Sequence, residues 1–196
     1  MTANNKLSFG EKIIYSIDPK IPPLILSELT KQVKTLPYQR SRTGARGSEV
    51  ETNVRTSTNS WLCWDTWVAG IMHNMFISAN NDYFHFDLDH FDSGIQATKY
   101  EVGQHYDWHV DAADSRDKNE DMSALPRKLS MTLVLDTEFE GGELEIYSPI
   151  DQKIIPIPMK AGSYCVFPSW VVHRVKPVTK GTRYSLVAWM NGPQFR

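Results

Sequence analysis

The sequence is poor in the features that mark disulfide-stapled, membrane-spanning and nucleic-acid-binding proteins. It has two cysteines in 196 residues, Cys63 and Cys165, and both stand among apolar neighbours. A disulfide framework is therefore not expected, and the setting predicts two buried free thiols. No apolar run is long enough to predict a transmembrane helix. The formal net charge is −2 and no long block of like charge occurs, so we expect no nucleic-acid partner and no membrane partner.

The start of the chain lacks the apolar stretch of a secretory signal, which favours a cytoplasmic protein. Hydrophobic residues make up 41% and charged residues 22% of the chain, as is typical of globular domains. Length and composition together predict a single domain over residues 1–196. They leave the oligomeric state open.

Helical signals are confined to the front of the chain, in a part covering about residues 1–80. Pro22 and Pro23 fit the first turn of a helix that runs to about Leu36. A second helix is predicted from about Ser60 to Asn80, because apolar residues recur there at helical spacing. Its apolar stripe, predicted to pack against a sheet, comprises Trp61, Trp64, Val68, Ile71, Met72 and Met75.

From residue 81 the apolar period shortens to about two, which is typical of strands. With helices only in front, this pattern predicts a mainly β (α+β) protein. Its core is a double-stranded β-helix (jelly roll) over about residues 81–192, buttressed by the N-terminal helices. The predicted strands are Tyr83–Leu88, Ile95–Val102, His105–Val110, Leu129–Asp136, Glu143–Tyr147, Lys153–Ile157, Ser163–Phe167 and Thr182–Met190.

Two polar segments interrupt this pattern. Residues 37–60 contain two glycines and predict a long loop or a mobile finger. The stretch Asp111–Leu125 is too polar for a buried strand and predicts an exposed loop. Long loops in compact domains often act as lids, and both segments are candidates for that role.

The sequence His109-Val110-Asp111 is the first candidate for a metal site. Side chains two residues apart on a strand point the same way, so one imidazole and one carboxylate can meet one metal ion. The pair alone is a weak signal, because chance His-x-Asp sequences are common. The other histidines have no partner at ligand spacing and are predicted to be structural or exposed: His73, His85, His90 and His105.

His173 and Arg183 strengthen the metal-site hypothesis. They flank a turn at residues 176–181, so we predict that they lie on consecutive antiparallel strands, close together across a hairpin. Two histidines and a carboxylate form the facial triad of non-haem Fe(II) oxygenases, which leaves positions open for a 2-oxo acid and O₂. Arg183 stands on an apolar strand, where it would be costly without an anionic partner such as a co-substrate carboxylate. Ser185 shares its face and could add a hydroxyl donor.

Taken in order, these motifs resemble the prolyl 4-hydroxylase family of Fe(II)/2-oxoglutarate dependent dioxygenases, over roughly residues 40–192. The resemblance implies Fe(II), 2-oxoglutarate and O₂ as cofactor and co-substrates, with ascorbate as a further candidate. The matching pieces are Val54-Arg55-Thr56-Ser57 before Trp61-Leu62, Tyr100-x-x-Gly103-x-x-Tyr106-x-x-His109-x-Asp111, Gly141-Gly142-Glu143, and His173-x-x-x-Pro177-Val178-x-Lys180-Gly181-x-Arg183.

The resemblance also implies roles for individual residues. Tyr100 matches a tyrosine that bonds the co-substrate, and Tyr106 matches one that lines the peptide site near the iron. Arg127 falls where the family has an arginine that helps to hold the substrate. Trp189 matches a tryptophan at the edge of the same groove, and Arg55 belongs to the finger that closes over the peptide. Packing roles for Tyr106 and Trp189, and an exposed loop position for Arg127, remain alternatives.

Three positions depart from the family pattern. Collagen-type enzymes carry lysine at the position of Arg183, whereas arginine is found in the oxygen-sensing prolyl hydroxylases and the lysyl hydroxylases. A family threonine that helps to hold the distal carboxylate is Leu144 here, and a tyrosine often found in the central strand is Val134. An extra donor from Arg183 could compensate for the missing threonine.

The predicted function is hydroxylation of a C–H bond, in the first place of a prolyl residue in a peptide or protein. A free amino acid, another small molecule and lysyl residues are alternative substrates. A non-catalytic jelly-roll binding protein is the alternative from a different class, but it would need a degenerate site. A zinc-dependent hydrolase would need a general base, and none stands at a recognisable spacing.

Overall fold

The computed structural model describes residues 15–17, 21–41, 54–92, 94–112, 125–158 and 160–194. Its strands are β1 (Tyr15–Ile17), β2 (Gln39–Arg40), β3 (Thr58–Leu62), β4 (Ile95–Tyr100), β5 (Tyr106–His109), β6 (Arg127–Val134), β7 (Phe139–Gly141), β8 (Leu144–Ser148), β9 (Lys153–Pro156), β10 (Tyr164–Pro168), β11 (His173–Val175), β12 (Val178–Gly181) and β13 (Arg183–Asn191). The helices are α1 (Pro23–Lys34) and α2 (Trp67–Ala79), with a π-helical turn at Asn80–Phe84.

The strands form a jelly roll, as the sequence predicts. A seven-stranded sheet has the order β1-β10-β6-β13-β4-β3-β2, a four-stranded sheet has the order β5-β11-β8-β9, and β12 pairs with β7. All ladders between these strands are antiparallel. The two faces of the seven-stranded sheet therefore serve different purposes, because side chains alternate along each strand.

One face of the large sheet packs against the helices. Leu29 and Val33 of α1 and Met72 and Phe76 of α2 are buried there, together with alternate residues of the central strands such as Leu186. The predicted first helix is confirmed. It begins at Pro23, the second of the two prolines that favour a helix N-terminus, and Thr35 follows its last residue.

The predicted second helix begins later than expected. Residues 60–62 belong to β3, which pairs with β4, and α2 starts only at Trp67. Trp61 and Trp64 are 48% and 71% exposed, so their assignment to a buried stripe is wrong. A short apolar run fits a helix and a strand equally well by periodicity, and here pairing with β4 decides the outcome.

The prediction of a strand at Tyr83–Leu88 is also wrong. Residues 80–84 continue α2 as a π-helical turn, which ends at His85 with a left-handed φ of 54°. The amide of Asn80 then bonds the main chain of Phe86 twice: Nδ2 donates to its carbonyl oxygen and Oδ1 accepts from its N–H, both at 2.9 Å. These local bonds replace the ladder that a strand would need.

His173 and Arg183 do not form the predicted hairpin. His173 begins β11 in the four-stranded sheet, whereas Arg183 begins β13 in the seven-stranded sheet. The segment between them is not a tight turn, because it contains β12, which pairs with β7. The chain thus crosses from one sheet to the other between these two residues.

The cysteine prediction is half right, because Cys165 is buried but Cys63 is exposed. No described helix is both long and apolar enough to cross a membrane. Most of the two predicted lid segments, residues 42–53 and 113–124, lies outside the described residues. The prediction of a single domain stays a prediction.

Candidate metal and co-substrate site

Three side chains with metal-ligating atoms meet where β5 and β11 run side by side. His109 ends β5, His173 begins β11, and the two are paired in register. Nε2 of His109 lies 3.7 Å from Oδ1 of Asp111, and Nε2 of His173 lies 3.5 Å from Oδ2. All three ligand atoms lie within 4.8 Å of one another, and no other such group occurs among the described residues.

The main chain holds each of these side chains in place. Nδ1 of His109 lies 2.7 Å from the carbonyl oxygen of Asp107, and Nδ1 of His173 lies 2.9 Å from that of Val171. A carbonyl oxygen only accepts, so each Nδ1 carries the proton and each Nε2 presents a lone pair to the shared centre. The main-chain N–H of Asp111 donates to the carbonyl oxygen of Ser169 at 2.9 Å.

Burial sets the protonation state of this cluster. Burial and the neighbouring His173 lower the pKa of His109 to about 3, so its imidazole is neutral at pH 7. Burial alone would raise the pKa of Asp111, but the two imidazoles hold it below its usual range. Neutral imidazole and ionised carboxylate are the forms that bind a divalent cation. This donor set, two nitrogens and one carboxylate, fits Fe(II).

Aromatic rings enclose the cluster. The ring of Tyr106 stacks on His109 with a centroid separation of 3.5 Å, and Phe167 meets His173 edge-on at 4.7 Å. The guanidinium of Arg55 lies 4.7 Å from the Tyr106 ring, and its Nε donates to Ser57 at 2.8 Å. Arg55 is 8% exposed, so this cation is part of the wall of the site.

A second feature is the cavity around Arg183, which is 1% exposed. Its Nη1 donates to Oγ of Ser185 at 2.7 Å, and its guanidinium lies 5.5 Å from the ring of Tyr100, its partner across the ladder. Burial lowers the pKa of Arg183, and the Tyr100 hydroxyl opposes that shift. The other residues lining this cavity are Thr132, Val134, Leu144, Ile157, Pro158, Ser163, Tyr164 and Cys165.

The Gly141-Gly142 pair lies beside this cavity, and the close packing at Gly142 explains why a glycine is needed there. Its φ is +64°, and a Cβ there would lie 3.0 Å from Cδ of Arg183 and 3.0 Å from Cγ2 of Val178. A side chain would therefore be strained and would displace the arginine. The Gly-Gly-Glu motif thus leaves room for the cation.

Trp189 and Arg127 form another part of the site wall. The guanidinium of Arg127 lies 4.0 Å from the centre of the Trp189 ring, and both its Nε and its Nη2 contact Oδ2 of Asp92. The ring centroid of Trp61 lies 6.3 Å from that of Trp189. The sequence did not single out Asp92, and it predicted Trp61 in a buried stripe.

The candidate residues therefore fall into three groups, of which the stacked pair Arg127 and Trp189 is one. His109, Asp111 and His173 form the metal-ligating cluster, with Tyr106 and Arg55 stacked beside it. The co-substrate candidates Tyr100, Arg183 and Ser185 line one side of the barrel interior. Of the remaining histidines, His73, His85 and His90 are exposed and His105 is half-buried, and none of them joins a metal-ligating group among the described residues.

Known proteins match the part of this chain that carries these groups. Residues 95–191 match the model of the 2OG-Fe(II) oxygenase superfamily. A PKHD-type hydroxylase of Synechococcus sp. (strain JA-2-3B'a(2-13)) is 37% identical over 93 residues, which cover 46% of this chain and 39% of the relative. PKHD-type hydroxylase YbiX of Escherichia coli O17:K52:H18 is 28% identical over 185 residues, which cover 91% of this chain and 78% of the relative.

The match to the Synechococcus relative thus spans only about two fifths of that protein's length.

Solved structures share the fold over most of the chain. A prolyl-4-hydroxylase of Pseudomonas putida has a TM-score of 0.72 at 18% identity, with 92% of this chain and 93% of that one covered. A prolyl hydroxylase of Trichoplax adhaerens, in complex with a hypoxia inducible factor peptide fragment, has a TM-score of 0.72 at 16% identity and coverage of 92% and 84%.

Proposed function

The chain belongs to the 2OG-Fe(II) oxygenase superfamily, and we propose that it is an Fe(II)- and 2-oxoglutarate-dependent dioxygenase that hydroxylates a C–H bond. The observation that carries this proposal is the convergence of His109, Asp111 and His173 in one cluster, in which His173 is buried and the other two are half-buried. When bound, Fe(II) with 2-oxoglutarate and O₂ supplies the oxidation that converts the C–H bond to an alcohol, with succinate and CO₂ as co-products.

The three side chains would hold Fe(II) through the two Nε2 atoms and the carboxylate. The carbonyl oxygens of Asp107 and Val171 keep the imidazoles in the required tautomer and orientation. The neutral state of His109 at pH 7 means that no proton must be displaced there when the metal binds. The site is therefore preorganised for a divalent ion.

Arg183 would bind the distal carboxylate of 2-oxoglutarate, since a guanidinium offers a planar fork that matches a carboxylate. Ser185 fixes one arm of that fork, and Tyr100 lies beside it. Burial strengthens such a pair because water does not screen it. Enclosure also keeps water away from the reacting groups.

We further propose that the substrate is a prolyl residue in a peptide or protein. A fold relative is known in complex with a peptide fragment, and several relatives are prolyl hydroxylases by name. Aromatic and cationic side chains suitable for a peptide line the site: Tyr106, Trp189, Arg55 and Arg127. A proline-rich segment suits such a groove, because its extended conformation has little entropy to lose on binding.

The test is mass spectrometry of peptides incubated with the protein, Fe(II), 2-oxoglutarate and O₂. A panel of proline-containing peptides should yield a product heavier by one oxygen atom (about 16 Da), and His109→Ala should yield none. Oxygen incorporation into free proline or another small molecule, with all peptides unchanged, would select the alternative substrate class. A lysine-peptide arm distinguishes lysyl hydroxylation.

A non-catalytic binding protein makes the opposite prediction. It would release no succinate from 2-oxoglutarate with any substrate, even though the protein binds metal. Iron-dependent succinate release excludes that alternative.

A further inference from the structure

The cavity around Arg183 contains a threonine that neither the motifs nor the family resemblance assigns. Thr132 lies in the middle of β6, where it is paired with Val187 of β13 and Cys165 of β10. Neighbours across an antiparallel ladder point to the same face of the sheet. Val187 also shares its face with Ser185 and Arg183, because these residues are two and four positions apart on β13.

The hydroxyl of Thr132 is in an unusual situation. The residue is 8% exposed, and within the part of the chain that the structure describes its hydroxyl forms no hydrogen bond. Two nearby serine hydroxyls are already bonded: Oγ of Ser185 accepts from Nη1 of Arg183, and Oγ of Ser163 donates to the carbonyl oxygen of Lys160 at 2.7 Å. The hydroxyl of Thr132 therefore keeps its donor and acceptor capacity for a ligand in the cavity.

Two other lining residues explain why a donor is needed at this place. Val134 and Leu144 both line the cavity, and they occupy the positions where the resembling family has a tyrosine and a carboxylate-binding threonine. Neither side chain can donate a hydrogen bond. On this side of the Arg183 cavity the hydroxyl of Thr132 stands two residues from Val134, on the same strand and face.

We propose that the hydroxyl of Thr132 donates a hydrogen bond to the distal carboxylate of 2-oxoglutarate, beside Arg183, in place of the missing family donors. This inference rests on the proposed function of the site. It makes Thr132 a co-substrate-binding residue that selects 2-oxo acids with a second carboxylate.

Binding measured without turnover tests the proposal. The protein is loaded with Mn(II), and its affinity is measured by calorimetry for N-oxalylglycine, a 2-oxoglutarate isostere, and for 2-oxobutyrate, which lacks the distal carboxylate. Thr132→Val should weaken N-oxalylglycine binding about tenfold or more, the usual effect of losing a hydrogen bond to a charged group. It should leave the affinity for Mn(II) and for 2-oxobutyrate unchanged.

Thr58→Val is the matched control. The hydroxyl of Thr58 is also buried without a hydrogen bond, but Thr58 pairs with Lys99, which pairs with Tyr184 on the opposite face of the sheet. This variant should bind N-oxalylglycine like the wild type. Thr132→Ser keeps a hydroxyl and should bind within about twofold of the wild type, whereas Thr132→Ala should bind as weakly as Thr132→Val. The comparison of Thr132→Ser with Thr132→Ala tests the proposal even where Thr132→Val does not fold.

The possible outcomes distinguish failure of the Thr132 role from failure of the proposed function. If Thr132→Val and Thr132→Ala bind N-oxalylglycine as tightly as the wild type while Arg183→Met does not, the role of Thr132 is refuted and the proposed function stands. Equal loss of N-oxalylglycine and 2-oxobutyrate binding would also refute it, since the hydroxyl would then act on cavity shape. Failure of the Mn(II)-loaded wild type to bind N-oxalylglycine would overturn both.

Discussion

The ring of Tyr106 lies flat on the imidazole of His109, with 3.5 Å between the ring centroids and 13° between the planes. The guanidinium of Arg55 lies 4.7 Å from the centre of the same Tyr106 ring, so a cation, a phenol and a proposed iron ligand form one stacked group. The main chain strengthens it: Thr56 N donates to the carbonyl oxygen of His105 at 3.0 Å, and Asp107 N donates to that of Val54 at 2.8 Å. The C-terminal part of the predicted finger is therefore joined to the strand that carries His109.

This stack predicts that Tyr106 orients the metal ligand through its ring. Tyr106→Ala should weaken binding of Mn(II) about three- to tenfold, the range expected for one lost aromatic contact. Tyr106→Phe keeps the ring and should bind Mn(II) like the wild type, because only the hydroxyl is lost. Calorimetric titration of the metal-free protein measures both. Equal metal affinity of the alanine variant would mean that the stack does not orient His109.

The ion pair between Arg127 and Asp92 predicts that Arg127 acts by holding Trp189, which it covers at 4.0 Å. Arg127→Ala and Asp92→Ala should each raise the KM for the peptide substrate several-fold and leave metal affinity unchanged. The double variant should be no worse than either single variant, because both changes release the same guanidinium. Additive losses in this double-mutant cycle would indicate that Arg127 contacts the substrate independently of Asp92.

The two cysteines should differ sharply in reactivity. Cys63 is exposed, whereas burial raises the pKa of the Cys165 thiol, and the thiolate is the reactive form. A thiol-specific chromogenic reagent should therefore modify one cysteine in the native protein and both in denaturant. Cys63→Ser should leave no rapidly reacting thiol. Rapid reaction of the native Cys63→Ser variant would contradict the burial of Cys165.

Gly142 should tolerate no side chain. Gly142→Ala should lower the free energy of unfolding by about 1–3 kcal/mol, because a Cβ would meet Arg183 and Val178 at a left-handed φ. Binding of N-oxalylglycine should weaken in the same variant. The control is Gly70→Ala in α2, where a Cβ would meet nothing within 4 Å and helix propensity should add up to about 1 kcal/mol. Urea denaturation compares them, and equal stability of the two variants would refute the close approach of Gly142 to Arg183.

Local signals predicted the parts of this protein that depend on local geometry. The helix at Pro23–Lys34 follows from two prolines and apolar spacing, and the meeting of His109 with Asp111 follows from their spacing of two residues at the end of β5. Neither requires knowledge of distant residues.

The errors involve residues whose structure depends on distant partners or on one side chain. Ser60–Leu62 become a strand only because β4 is available to pair with them. Tyr83–Leu88 lose their strand to the amide of Asn80. His173 and Arg183 lie in different sheets because β12 pairs with β7 between them. Thr132 could not be singled out from the sequence, since its significance depends on a cavity built from several strands.

The most direct test of the central claim is succinate release from 2-oxoglutarate by the Fe(II)-loaded protein in air, compared between the wild type and His173→Ala. The substitution removes one proposed ligand, and the account predicts that the wild type forms succinate and that the variant falls to the background of free iron. Undiminished succinate formation by His173→Ala, or none by a wild type that has bound iron and 2-oxoglutarate, would contradict it.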